Sequence, residues 1–313
     1  TAPRLLLAVL LLAGVFGAAA PVGGAPGERY LDPVFATVER TDGVVYRTTT
    51  DCTGAPVDLA LDLYEPAGDT AAARPLYVWI HGGSFAIGGR DGILEQTVGQ
   101  DYAQRGYVVA SISYRLCDDF TLDAMTDAYE DAAAAVAWLR AHADDYRLDP
   151  TRVAVGGASA GAITALQVGY TPSRAAGMGT PDDPSHVDAV LSMAGFWLPG
   201  LVEPGEPPVF MAHGTSDPLI PFSSAEGFCT GANAAGVPCE FHAYDAGHET
   251  LISHLADIEA ASLVWMYDAL HLGEPPAPTS SSTTSTPPSS STTTTAAPTS
   301  TVAPAAATPR FTG

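Results

Sequence analysis

Arg152-Val153-Ala154-Val155-Gly156-Gly157-Ala158-Ser159-Ala160-Gly161 is the stretch on which the reading of this chain turns. A short apolar strand runs into Gly157-x-Ser159-x-Gly161, and a helical segment, Ala160 to Tyr170, follows. A strand that reverses into a helix over one residue forces that residue into a strained conformation. Its neighbours two positions away must then be small, and Gly157, Ala158, Ala160 and Gly161 all are. The helix points its free amides and positive dipole end at the Ser159 hydroxyl. Between a strand and a helix, the spacing reads as a nucleophile elbow.

Working outward, the same alternation recurs. Leu76-Tyr77-Val78-Trp79-Ile80, Tyr107 to Ile112, Arg152 to Val155, Ala189 to Met193 and Val209 to Ala212 are near-continuous apolar runs. Such runs suit central strands covered on both faces. Val57 to Glu65 alternates, like a half-buried strand near an edge, and Cys239 to Tyr244 reads as the last strand. Helical character lies at Asp123 to His142, Ala160 to Tyr170, Phe222 to Ala235 and Leu251 to Leu270. Strands alternating with helices predict an α/β fold, a mainly parallel sheet with helices on both faces.

Three further segments complete a hydrolytic site. His81-Gly82-Gly83-Ser84-Phe85 follows an apolar strand, and its glycines let the backbone approach a substrate closely. The backbone amides of Gly83, Ser84 and Ala160 are the expected oxyanion donors, with His81 bracing the loop. Asp217, in His213-Gly214-Thr215-Ser216-Asp217-Pro218, sits just past a central strand, where the sites of such sheets gather. His248, in the loop after the last strand, is the candidate base. Asp245 and Glu249 lie too close to it in sequence to be its usual partner. His142, His254 and His271 fall on helices or at a helix end. The order Ser159, Asp217, His248 is that of a serine-hydrolase triad.

Together these motifs resemble the α/β-hydrolase superfamily, and within it the bacterial carboxylesterase/lipase group with an HGG oxyanion loop. His81 to Gly88, Ser113-Tyr114-Arg115-Leu116, Leu148 to Val153, Gly157 to Gly161, His213 to Asp217 and Gly247-His248 carry the likeness. It spans about residues 44 to 270. It implies the α/β-hydrolase fold, a mainly parallel eight-stranded sheet with helices on both faces. It implies acyl transfer through a covalent acyl-enzyme, with no metal or organic cofactor. Ser84 stands where hormone-sensitive-lipase-like relatives have a third Gly, and Ala158 where they usually have Asp. Their long cap has no counterpart, because only Gly195 to Pro208, with four prolines and three glycines, separates two strands. Phe196, Trp197 and Leu198 could wall the site.

The ends read differently. Arg4, the apolar run Leu5 to Phe16 and Ala18-Ala19-Ala20 match a secretory signal peptide, giving a leader over 1–20 and a catalytic domain over 21–273. The 46% hydrophobic content suits a large core. Residues 274–313 are a Ser/Thr/Pro-rich tail, read as an extended stalk that could associate with a cell wall. Cys52, Cys117, Cys229 and Cys239, an even count behind a leader, suggest two disulfides. Cys229 and Cys239 are close in sequence and expected to pair, leaving Cys52 with Cys117. No Cys/His cluster has zinc spacing, so no metal is expected.

The formal net charge is −22, and all 13 basic residues are Arg. That balance repels phosphate backbones and argues against a nucleic-acid partner. The expected function is a secreted serine carboxylic ester hydrolase, acting on small-molecule or polymer-linked esters with short acyl groups favoured. The rivals are a serine peptidase of the prolyl-peptidase type and a non-catalytic stalked wall protein. Oligomeric state has no signature in the sequence.

Overall fold

In the computed structural model, the apolar runs form the centre of one eight-stranded sheet. The structure describes residues 28–117, 121–170, 183–197 and 202–274. The expected leader, the Ser/Thr/Pro-rich tail and Leu198 lie outside them. The strands are β1 (Val38–Thr50), β2 (Pro56–Pro66), β3 (Arg74–Ile80), β4 (Val108–Ile112), β5 (Leu148–Ala158), β6 (Ala189–Met193), β7 (Val209–Gly214) and β8 (Cys239–Tyr244). The helices are α1 (Ile93–Ala103), α2 (Leu122–Ala141), α3 (Ala160–Tyr170), α4 (Phe222–Ala234), α5 (Thr250–Ser253) and α6 (Leu255–Ala269). The sheet order is β1-β2-β4-β3-β5-β6-β7-β8. Only β2 runs against the others, pairing antiparallel with both β1 and β4.

Alternate residues of the central strands feed two cores. Leu76, Val78 and Ile80 of β3 join Val153 and Val155 of β5 against α2, α3 and α4. Tyr77 and Trp79 join Val109, Leu191 and Phe210 against α1 and α6. Covering both faces explains the absence of polar alternation in these strands. Thr121 caps α2, its hydroxyl accepting from the Ala124 amide at 3.1 Å.

The structure differs from the sequence expectations at three places. β2 is buried on both faces, not half-buried: Leu59, Leu61 and Leu63 enter one core and Tyr64 the other, beneath α1, while the unanticipated β1 takes the edge position. The segment read as one helix from Leu251 to Leu270 breaks at His254, whose ψ of 26° leaves the helical region. There the Ser253 hydroxyl turns back to the carbonyls of Glu249 and Thr250, a local alternative to helix continuation. The helix α1 was not anticipated at all.

Both disulfides are present as expected. Cys52–Cys117 ties the β1–β2 turn to the segment after β4, and Cys229–Cys239 ties α4 to β8.

Candidate active site

The elbow is built by the end of β3 pressing on the turn between β5 and α3. Ser159 has φ 54°, the left-handed region that an L-residue occupies only when its surroundings enforce it. Its amide donates to the Met193 carbonyl at 2.9 Å, which fixes the turn to β6. A Cβ at Gly157 would lie 2.5 Å from the Ile80 carbonyl oxygen, and one at Gly161 would also strike that atom. Both glycines are therefore required by close backbone approach. The Ile163 amide donates to the Ser159 carbonyl at 3.0 Å, so the helix starts at the nucleophile candidate itself.

Ser159, His248 and Asp217 are joined by a continuous chain of hydrogen bonds. The distance from Ser159 Oγ to His248 Nε2 is 2.8 Å, and from His248 Nδ1 to Asp217 Oδ2 it is 2.7 Å. An ionised carboxylate only accepts, so Nδ1 carries the proton and Nε2 presents its lone pair to the serine hydroxyl. The Asp217 side chain is fully buried, while that of His248 is 21% exposed, open enough to meet a substrate. Burial works against the Asp217 charge. Hydrogen bonds from the Ile220 amide, His248 and the Leu219 amide outweigh it and hold its pKa below the ordinary value. Those amides meet Oδ1 at 2.9 and 2.8 Å. The rival acid Glu249 instead accepts from the Gly247 amide at 3.1 Å.

The HGG loop stands opposite. Gly83 (φ 121°), Ser84 (φ 55°) and Phe85 (φ 61°) are consecutive residues at positive φ. The run curls the loop so that successive amides turn the same way, as in an anion-binding nest. Among the described residues, the amides of Gly83, Ser84 and Ala160 donate to no carbonyl or side chain. His81 is buried, its ring stacked on Tyr114 at 4.4 Å, and the Tyr114 hydroxyl donates to its carbonyl at 3.0 Å. Burial lowers the His81 pKa, and its Nδ1 lies 2.7 Å from the Gly82 carbonyl. His81 thus braces the loop.

A family model described as BD-FAE matches residues 61–197. The probable carboxylic ester hydrolase LipM of Mycobacterium tuberculosis is 24% identical over 265 residues, covering 70% of this chain and 61% of its own length. Esterase LipI of the same organism is 29% identical over 232 residues, covering 59% of this chain and 71% of its own. Among solved structures, esterase 2 of Thermogutta terrifontis, phosphorylated by paraoxon, superposes with a TM-score of 0.61. It is 23% identical and covers 74% of this chain and 94% of its own length. The chain has the α/β-hydrolase fold, and these relatives carry carboxylic ester hydrolase and esterase names. It spans less than two thirds of the length of LipM, the first of these relatives.

Ser159 and His248 open onto a cavity of about 370 Å³. Ser84, Ser159 and His248 line it together with the apolar Ile163, Phe196 and Leu219. Phe196 was anticipated as a wall; Trp197 packs against the core instead of lining this cavity. The turn Leu219-Ile220-Pro221 and Ser224 were missed as wall residues. Their only sequence signal was their position directly after Asp217. His213 was also passed over, although it stands in the quoted segment leading to Asp217.

Proposed function

We propose that this protein is a secreted carboxylic ester hydrolase working through an acyl-enzyme, with Ser159 as nucleophile, His248 as base and Asp217 as its orienting acid. The observation that carries the reading is the unbroken relay from Ser159 Oγ through His248 to a buried carboxylate, opening on an apolar cavity. The esterase names of its relatives support the same reading.

Ser159 Oγ attacks the ester carbonyl carbon as its proton passes to His248 Nε2. Asp217 stabilises the resulting imidazolium and holds its tautomer. The carbonyl π electrons move onto oxygen, where the amides of Gly83, Ser84 and Ala160 receive the charge. The tetrahedral species collapses, the carbon–alkoxy bond breaks, and His248 returns the proton to the leaving alcohol. Water then gives a proton to His248 as its oxygen adds to the acyl carbon. The carbon–Oγ bond breaks, Ser159 regains the proton, and the free acid departs.

Acyl groups of about two to six carbons suit the size of the cavity. A longer chain gains about 0.8 kcal/mol per CH₂ only where it is buried, and the link from β6 to β7 is too short for a large helical lid. A bulky alcohol or a polymer-linked ester fits the same open mouth. The leader-like start and the paired cysteines support secretion. The test is kcat/KM on p-nitrophenyl acetate, butyrate, octanoate and palmitate, with a prolyl anilide as the peptidase control. The maximum is expected at acetate or butyrate. A maximum at octanoate or longer overturns the acyl-length reading, and faster turnover of the anilide overturns the esterase reading.

A further inference from the structure

A second imidazole faces the proposed catalytic carboxylate. His213, near the end of β7, is fully buried. Its Nε2 is 2.9 Å from the Ile220 carbonyl oxygen and 3.4 Å from Asp217 Oδ2. Its Nδ1 is buried with no hydrogen-bond partner. A carbonyl oxygen only accepts, so Nε2 must carry the hydrogen. The opposite tautomer would set a nitrogen lone pair against a carbonyl and a carboxylate at once. Burial keeps the ring neutral, so Nδ1 holds the lone pair.

Ile220 is consequently pinned at both ends. Its carbonyl accepts from His213, and its amide donates to Asp217 Oδ1 at 2.9 Å. The amide of Leu219, next along the same turn, donates to that oxygen at 2.8 Å. The carboxylate is thus placed by a turn that is itself placed by His213. The ring lies edge-on to Phe222, with centroids 6.2 Å apart, which limits its freedom to tilt.

We infer that His213 is a positioning residue for ester hydrolysis, acting through the Ile220 carbonyl to hold Asp217 in line with His248. The inference rests on the proposed triad. Loss of the donor frees the 217–220 turn, and a misplacement of about 1 Å at a catalytic group can cost about 100-fold. The role concerns the chemical step, so kcat should fall while KM holds.

The experiment compares kcat and KM on p-nitrophenyl butyrate for wild type, His213→Phe, His213→Gln and His213→Asn, with melting temperature recorded for each. His213→Phe keeps an aromatic ring but has no donor. The Gln side-chain amide nitrogen lies near the position of Nε2, whereas that of Asn lies near Nδ1. The expected result is a kcat loss of about 10- to 100-fold for Phe and Asn at nearly constant KM, with Gln restoring most of it. Should His213→Phe fail to fold, the Gln and Asn pair decides by the same difference. Equal activity in Gln and Asn, or an effect confined to KM or melting temperature, overturns the inference. Failure of the triad itself is distinguishable, because wild type would then not turn over the ester.

Discussion

At the scale of the residue, the proposed chemistry rests on Ser159, His248 and Asp217, with His213 positioning the last of them. Ser159→Ala and His248→Ala are each expected to lower kcat on a soluble ester by about 10⁴- to 10⁶-fold, and Asp217→Asn by about 10⁴-fold. The double variant Ser159→Ala/His248→Ala should be no worse than the poorer single, because the groups act as a unit. Circular dichroism and steady-state kinetics on the purified variants check both statements. Additive losses would show that the two side chains do not share one step. Ser159 and His248 were legible in the sequence as candidates because each announces itself locally, by small neighbours or by a loop after a strand. The role proposed for His213 was not legible. Its hydrogen bond to the Ile220 carbonyl is set by how the 217–220 turn folds back, and no spacing rule encodes that.

At the scale of the element, the central strands were readable and two outer elements were not. β1 carries Glu39, Arg40, Asp42 and Arg47, a polar edge that discourages sheet-to-sheet association. That chemistry hides it from a search for apolar runs. α1 has only a narrow apolar stripe, Leu94, Val98 and Tyr102, broken by Glu95 and Gly99, and its first residue, Ile93, is 87% exposed. Tertiary contacts add to that stripe, such as the 2.7 Å hydrogen bond between Tyr102 Oη and Ser262 Oγ of α6. Beside that contact, burial and the neighbouring Asp101 raise the Glu259 pKa to about 7. The native state therefore keeps a proton that the unfolded chain releases near its ordinary value. Stability must fall as pH rises through that window. Glu259→Gln is expected to raise the melting temperature at pH 8 and leave it nearly unchanged at pH 4.5. Scanning fluorimetry at both values checks the sign, and a loss at pH 8 would contradict it.

The disulfides act at the same scale. Cys52–Cys117 closes a separation of 65 residues and Cys229–Cys239 one of 10. In the chain-entropy view, replacing each pair with Ser should cost about 4 and about 3 kcal/mol respectively. Urea denaturation of the two double variants measures the difference. The reverse order would mean that strain or residual unfolded-state structure outweighs loop length.

For the whole molecule, protonation couples the site to the fold. His81 beneath the HGG loop and His213 beneath the acid loop both have their pKa values lowered by burial. Below about pH 6.5 the unfolded chain binds protons that these native rings refuse, so acid should destabilise the fold. The melting temperature is expected to drop between pH 7 and pH 5, and less steeply in His213→Gln. A drop equally steep in that variant would remove His213 from the cause. Among the described residues no helix is long and apolar enough to cross a membrane. The parallel sheet and its two helical layers followed from alternation alone. The cavity wall did not, since it draws residues from α3, from the β6–β7 link and from the turn after β7.

The central claim is that Ser159 is a nucleophile activated by His248. Its most direct test is labelling by a fluorophosphonate, whose phosphorus is attacked by an activated serine oxygen and then retained. Intact mass and peptide mapping of the folded wild type should show one adduct, on Ser159. It should be absent in Ser159→Ala and strongly slowed in His248→Ala. No adduct on the wild type, or one on another residue that persists in Ser159→Ala, would contradict the account.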